Sequence, residues 1–166
     1  MKSVVHMQTD IVVADYTNPK HAEDILLLLD HYACDPAGGG LGLSDFVKTN
    51  LVPELVKLAT AFSVLGYVQG EAVGLVNCFM AFSTFKCKPL VNIHDIVVLD
   101  RFRSKGIGQL LLAKVEKIAK EKGACKLTLE VLDNNHGAKA AYTKFGFAAY
   151  ELDPEYGPAV FYEKVL

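Results

Sequence analysis

The stretch that most constrains the fold of this chain is Val91–Leu112, VNIHDIVVLDRFRSKGIGQLLL. An apolar, strand-like run ends at Arg103-Ser104-Lys105-Gly106-Ile107-Gly108, and an amphipathic helical pattern begins at once. The first turn of such a helix carries unpaired N–H groups and the positive end of the macrodipole. Glycine lets an anion approach that backbone with no Cβ in the way, and Arg103 and Lys105 add full positive charge beside it. The ligand such a turn fits is a polyanion, a diphosphate above all. Without a ligand the same residues read as a glycine corner with solvated charges. R-x-x-G-x-G is a weak signal by itself, and its setting between strand and helix is what gives it weight. A dinucleotide-binding turn would need G-x-G-x-x-G with an acidic residue about 20 positions on, and a P-loop would need G-x-x-x-x-G-K-[ST]. Neither stands here.

Length and composition narrow the class. At 166 residues the chain fits one domain, 1–166, and is long enough to bury a core. Hydrophobic residues make up 51% with no polar low-complexity tract, which excludes a disordered chain. A net charge of −2 speaks against a nucleic-acid partner, for which a basic excess is usual. Cys34, Cys78, Cys87 and Cys125 form no C-x-x-C pair, so neither a metal site nor a disulfide framework is signalled. They are expected as buried or half-buried free thiols in a reducing compartment. No signal-peptide pattern opens the chain, and no apolar run reaches the roughly 20 residues that span a bilayer. A soluble, cytoplasmic protein without a membrane partner is the expectation.

The remaining residues supply the elements around the turn. Thr9–Asp15 reads as a strand. Asn18-Pro19 supplies an N-cap and an N1 proline for a helix to about Tyr32, with Ile25, Leu26, Leu28 and Leu29 on its apolar face. Asp35–Leu43 is a glycine-rich loop, and a second helix starts at Ser44 with a kink or restart expected at Pro53. Phe62–Val68 and Ala72–Phe82 form a hairpin about Gln69-Gly70-Glu71, and Leu90–Leu99 follows as a strand. Ile107, Leu110, Leu111, Val115, Ile118 and Ala119 recur at helical spacing until Gly123. Cys125–Leu132 alternates as a strand, Asn134–Lys144 is a short helix ended by Gly146, and Phe147–Leu152 and Ala159–Val165 are expected as two closing strands. The order β-α-α-β-β-β-α-β-α-β-β predicts a mixed α/β sheet.

A second constellation lies in Cys125–Phe147, CKLTLEVLDNNHGAKAAYTKFGF. With Asn135 opening the helix, Ala138 and Tyr142 share its face, because seven steps of about 100° return to nearly the same azimuth. A polar atom at each end with a small residue between suits a cofactor arm lying along the helix. The same residues also read as an N-cap, a half-buried core tyrosine and, at Gly146, a C-cap.

Taken together and in this order, the strand with its RSKGIG turn resembles the acyl-CoA-binding motif of the GNAT N-acetyltransferase superfamily, and NNHGAKAAYTKFGF resembles its N-x-x-A-x-x-x-Y-x-x-x-G-F segment. The element order is similar too, over nearly the whole chain. The resemblance implies a single-domain α/β fold whose mostly antiparallel sheet has about seven strands, flanked by about four helices and splayed between the fourth and fifth strands. It implies acetyl-CoA as co-substrate, no metal, and acetyl transfer to a primary amine of a small molecule such as a polyamine or amino acid, with a homodimer allowed. A protein or peptide acceptor, or a non-catalytic acyl-CoA sensor or scaffold, stays open. By the same resemblance the backbone of Ile96, Val97 and Val98 pairs with the pantetheine arm. The amides of Ser104, Lys105, Gly106, Ile107, Gly108 and Gln109 would cradle the diphosphate with Arg103 at its edge. Asn135 would hydrogen-bond the pantetheine, and Tyr142 would stand beside the thioester sulfur. Ser104 takes a place where many relatives have glycine, which matters little if its backbone angles are ordinary. KPLVNIHDIVV looks most like the diamine (spermidine/spermine) acetyltransferase group, where an acidic base precedes the aspartate. Here that position is His94.

Acetyl transfer to an amine needs a neutral amine, a polarised carbonyl and a proton for the departing thiolate. An alkylamine with pKa near 10.4 is only about one part in 2,500 neutral at pH 7, a deficit of roughly 4.6 kcal/mol. An imidazole is a base suited to that task, which makes His94 the candidate base; a satisfied strand histidine is the other reading. Strand parity puts His94, Ile96 and Val98 on one face and Asp95 and Val97 on the other, so Asp95 is expected to be structural. Tyr142 is the candidate acid, and an N–H of Ile96 or Val97 would polarise the carbonyl. Gly38-Gly39-Gly40 reads as a flexible substrate loop and His136 as a solvated helix-start residue, while Asp153 and Glu155 read either as solvated loop acids or as an attraction for a cationic amine.

Overall fold

The computed structural model describes residues 8–150 and 153–166. In chain order they form β1 (Thr9–Val13), α1 (Pro19–Cys34), α2 (Asp45–Lys57), β2 (Ala61–Val68), β3 (Glu71–Ser83), β4 (Lys88–Val98), α3 (Ile107–Glu121), β5 (Leu127–Leu129) and α4 (His136–Phe145). Short 3₁₀ turns stand at Pro36–Gly38, Asp100–Phe102 and Pro154–Tyr156. The chain divides into two compact units, residues 1–129 and 130–166.

The first unit holds one five-stranded sheet in the order β1-β2-β3-β4-β5. Neighbours are antiparallel through β4, and β4 and β5 are parallel. Gln69 and Gly70, at φ 51° and 80°, close the β2–β3 hairpin. Two consecutive left-handed residues make the two-residue turn whose twist matches a hairpin. Helix α1 starts as the sequence predicts: Asn18 Oδ1 accepts from the Lys20 N–H at 2.9 Å, and Pro19 takes the first helical position. Ser44 caps α2 in the same way, at 3.3 Å to the Val47 N–H. The restart expected at Pro53 is absent, and α2 runs through it. Pro53 lies on the exposed side, where water can take the carbonyl left without a donor.

Apolar spacing on the helices buries both faces of the sheet. On one, Ile25 and Leu28 of α1 and Val52 of α2 pack with Leu65, Leu75 and Val97. Asp24, 6% exposed on α1, is satisfied there by Lys20 Nζ at 2.9 Å and the Tyr67 hydroxyl at 2.7 Å. Burial, with that bond to Asp24, pushes the Tyr67 phenol well above its ordinary range. On the other face α3 lies over Gly66 and Gly74. A Cβ at Gly74 would come within 2.8 Å of Leu111 Cδ1, so glycine is what lets the helix approach. Leu110, expected on the apolar side of α3, is 46% exposed, and Leu112 is buried in its stead. The buried stripe is centred between Leu111 and Val115, and one step of about 100° brings Leu112 in and leaves Leu110 out.

The sheet has five strands among the described residues rather than about seven. Strand β5 spans three residues of the expected Cys125–Leu132, because its ladder on β4 covers only Val91–Ile93. In the second unit, residues 147–150 and 159–165 are not strands; Glu151 and Leu152, the end of the first of these, lie outside the described residues. A backbone bond from the Ala159 N–H to the Tyr150 carbonyl at 3.4 Å joins them, short of a ladder. Of the cysteines Cys78 is buried and Cys34, Cys87 and Cys125 are exposed. No helix among the described residues is long and apolar enough to cross a membrane.

Candidate active site

Two irregularities coincide on β4. Its ladder with β5 ends at Ile93, although β4 itself continues to Val98. At the same point the β3 register slips: Cys78 pairs with Ile93 and Asn77 with Asp95, which leaves His94 as an extra residue. Such a bulge places two consecutive side chains on one side of the strand. It overturns the expected parity. His94 and Asp95 line one cavity together, with Asn77 and Phe79 of β3, and the Phe79 and His94 rings meet edge to face at 5.6 Å.

Beyond the bulge the backbone has a definite phase. The Leu99 N–H bonds the Val73 carbonyl at 2.9 Å. In an antiparallel ladder the residue two positions earlier faces the same partner, so the N–H and C=O of Val97 turn toward Leu75. Those of Ile96 and Val98 turn to the edge that β5 has left. Of the three residues expected to pair with a pantetheine arm, Val97 is thus committed to β3. Arg103 Nε already donates to the Val98 carbonyl at 3.2 Å.

The cavity, about 350 Å³, is walled by Leu29, Tyr32 and Ala33 of α1, Gly38, Leu43, and Val47, Leu51 and Leu55 of α2. Its sheet side carries the polar groups. Asn77 Nδ2 donates to Asp95 Oδ2 at 3.0 Å, and Ser63 Oγ donates to Asn77 Oδ1 at 2.6 Å. The Tyr16 hydroxyl and Ser63 Oγ share a further bond at 2.9 Å. Ser63 and Asn77 are 0% and 5% exposed, so this chain fixes the Asp95 carboxylate from inside the sheet. Burial raises the Tyr16 phenol even against its Ser63 bond. Burial, then the charges of Asp95 and Asp35, raises the Tyr32 phenol. Both hydroxyls stay neutral at ordinary pH.

Sequence reading missed Asn77, Ser63 and Tyr16, and it set Asp95 aside. A signal was present. Asn77 and Ser63 interrupt otherwise apolar strands, AVGLVNCFMAF and AFSVLGYV, and the hairpin register sets them opposite each other.

The RSKGIG turn leads into α3 with Gly106 at the N-cap, φ 85°. Asn18, Ser44 and Asn135 cap α1, α2 and α4 with a side chain, whereas α3 has no such cap. A Cβ at Gly106 or Gly108 would meet nothing within 4 Å, so the first turn is open to a diphosphate, and the fit is good. Ser104 stands at φ 60°, so its backbone angles are not ordinary; it holds a left-handed position where glycine is the unstrained residue. Arg103 also contacts Asp100 Oδ1 at 2.8 Å and Asp35 Oδ2 at 3.3 Å. Lys105 stacks on the Phe102 ring at 5.1 Å. The Ala37 N–H, then Arg103, holds the Asp35 carboxyl below its usual range.

In the second unit Asn135 Oδ1 accepts from the Ala138 N–H at 3.2 Å, which starts α4. Gly146, at φ 109°, ends the helix by donating to the Tyr142 and Thr143 carbonyls. Tyr142 is half-buried on α4, its ring 6.0 Å from that of Phe147. The capping roles of Asn135 and Gly146 are therefore real.

Comparison with known proteins accords with this geometry. Residues 28–147 match the model of the acetyltransferase (GNAT) family. The chain is 31% identical over 122 residues to an uncharacterised N-acetyltransferase of Chlorobaculum tepidum, covering 74% of this chain and 67% of that one. It is 40% identical over 87 residues to the streptothricin acetyltransferase of Streptomyces lavendulae, covering 52% of this chain and 46% of that one. Over 90 residues it is 34% identical to the bovine thialysine N-epsilon-acetyltransferase, covering 54% and 52%. The matched part is about half the length of the last two. Among solved structures, an aminoglycoside N-acetyltransferase in complex with a CoA bisubstrate analogue shares the fold, with TM-score 0.76, 20% identity and 96% and 99% of the two chains covered. The motif order, the sheet that parts beyond Ile93 and the family match converge: the chain belongs to the acetyltransferase (GNAT) family.

Proposed function

We infer that this protein transfers the acetyl group of acetyl-CoA directly to the primary amine of a small molecule. The observation that carries this reading is the bulge at His94, which turns an imidazole and a carboxylate together into a cavity beside the open edge of β4. When bound, acetyl-CoA supplies the activated acetyl group. The first-turn amides of α3, with Arg103 and Lys105, hold its diphosphate, and Ile96 and Val98 present backbone groups to its pantetheine arm. Asp95 holds the incoming ammonium. His94 takes one proton from it, directly or through a water, which supplies the neutral nucleophile at pH 7. The nitrogen lone pair then attacks the thioester carbonyl carbon; the C–N bond forms, the C–S bond breaks, and the nitrogen's second proton leaves through water to replace the one that Tyr142 gives up. The Ile96 N–H polarises the carbonyl oxygen. Tyr142 donates its phenolic proton to the leaving sulfur, a role supported by its place seven residues after Asn135 in the motif.

The test is an amine panel with acetyl-CoA, read by thiol release and by the mass of the product. Tyr142→Phe is expected to lower kcat by about 10²-fold with CoA affinity nearly unchanged, the size of a lost general acid. His94→Gln should remove the acidic limb of the kcat/KM–pH profile. An intact limb places the base elsewhere, and a protein that binds acetyl-CoA yet acetylates no amine is a sensor rather than a transferase.

A further inference from the structure

The cavity beneath His94 is unlike a site for a polycation. Asp95 is the one carboxylate among its described lining residues, and eight of the others have no polar side-chain atom: Leu29, Ala33, Gly38, Leu43, Val47, Leu51, Leu55 and Phe79. Two acids beside its walls, Asp30 and Asp35, are already used. Asp30 accepts from the Leu43 N–H at 2.7 Å and pairs with Lys48 at 3.1 Å, and Asp35 pairs with Arg103. Asn77 takes Asp95 Oδ2 and leaves Oδ1 to a ligand. A second ammonium in such a pocket would lose its water against Leu and Val walls with no counter-charge, a cost that one carboxylate already occupied does not offset. The volume, 350 Å³, holds roughly a dozen water volumes, enough for a compact body of similar heavy-atom count.

From this we propose that the acceptor is a monocationic primary amine with an apolar body, an alkyl- or arylalkylamine, its ammonium on Asp95 and its body between α1 and α2. The proposal rests on the transferase reading and names its substrate class. It runs against the polyamine implied by the resemblance of KPLVNIHDIVV to the diamine group.

The experiment compares 2-phenylethylamine, spermidine and an aminoglycoside as acceptors by kcat/KM, with calorimetric binding of each amine as a second readout. The monoamine is expected to lead by 10-fold or more in both. Asp95→Asn should reduce its binding and raise its KM by 10-fold or more while leaving CoA affinity in place. Val47→Asp puts a second carboxylate on the opposite wall, in the first turn of α2, where an acidic side chain suits the helix. It should raise kcat/KM for spermidine by 10-fold or more at the monoamine's expense. Spermidine or the aminoglycoside outperforming the monoamine in the native protein overturns the inference and leaves the transferase reading standing. Failure of every amine to accept acetyl overturns the transferase reading instead. Calorimetry then still decides the pocket: monoamine binding that Asp95→Asn weakens supports the stated preference, and its absence overturns it.

Discussion

At His94 a single inserted residue decides which side chains meet. Alternation is a sound rule for a regular strand, and it assigned His94 and Asp95 to opposite faces. One bulge brings them to the same cavity and makes Asp95 part of the site. Next to it on β3, Cys78 is buried at 1% exposure, and burial followed by the Asp95 charge pushes its thiol up to about 12 from 9.0. The sign follows from linkage. A folded-state pKa above the unfolded value means that Cys78 contributes stability fully below about pH 9, and that this contribution is lost as pH rises toward 12. Cys78→Ala should therefore flatten the alkaline fall in urea midpoint between those values, at some cost in packing at neutral pH. In the native protein iodoacetamide should label Cys34, Cys87 and Cys125 and spare Cys78, as counted by intact mass.

At the scale of elements, the turn into α3 shows which glycines matter and why. Ser104 sits at φ 60°, a conformation that costs an L-residue about 1–2 kcal/mol. Glycine there would relieve that strain and give back part of the gain as unfolded-state entropy. Ser104→Gly is expected to stabilise the protein by about 0.5–1 kcal/mol in urea unfolding. The diphosphate site is better probed at Gly108 than at Gly106. Both have open space where a Cβ would stand, but Gly106 is at φ 85°, so any substitution there mixes backbone strain with ligand exclusion. Gly108→Val should lower CoA affinity by calorimetry 10-fold or more with a small change in Tm, because only the approach of an anion is obstructed. Unchanged affinity would show that the first turn of α3 does not hold the diphosphate.

For the whole molecule, stability rests on α3 pressed to the sheet through Gly66 and Gly74. Leu111, fully buried against both glycines, is the centre of that contact. Leu111→Ala leaves a cavity that two packed faces cannot close, and a loss of about 3–5 kcal/mol in urea unfolding is expected. Much of this architecture was legible in the chain. Helix starts at Asn18, Ser44 and Asn135, the Gln69-Gly70 turn and the strand–turn–helix at Val91–Leu112 all depend on interactions within a few residues, which local sequence encodes. The two expected closing strands are not strands among the described residues for the opposite reason: a strand forms only where a neighbour supplies the ladder, and neighbours are chosen by the fold. The same holds for the site. Sequence by itself determined the residue types, the glycine turn and the family; tertiary structure alone decided that the β4–β5 ladder stops at Ile93, that His94 is the extra residue opposite β3, and that Tyr16, Ser63 and Asn77 converge on Asp95. The end of the β4–β5 ladder is set by strands that α3 separates in the chain, and the bulge by how the whole of β4 pairs with β3, which residue type alone does not encode.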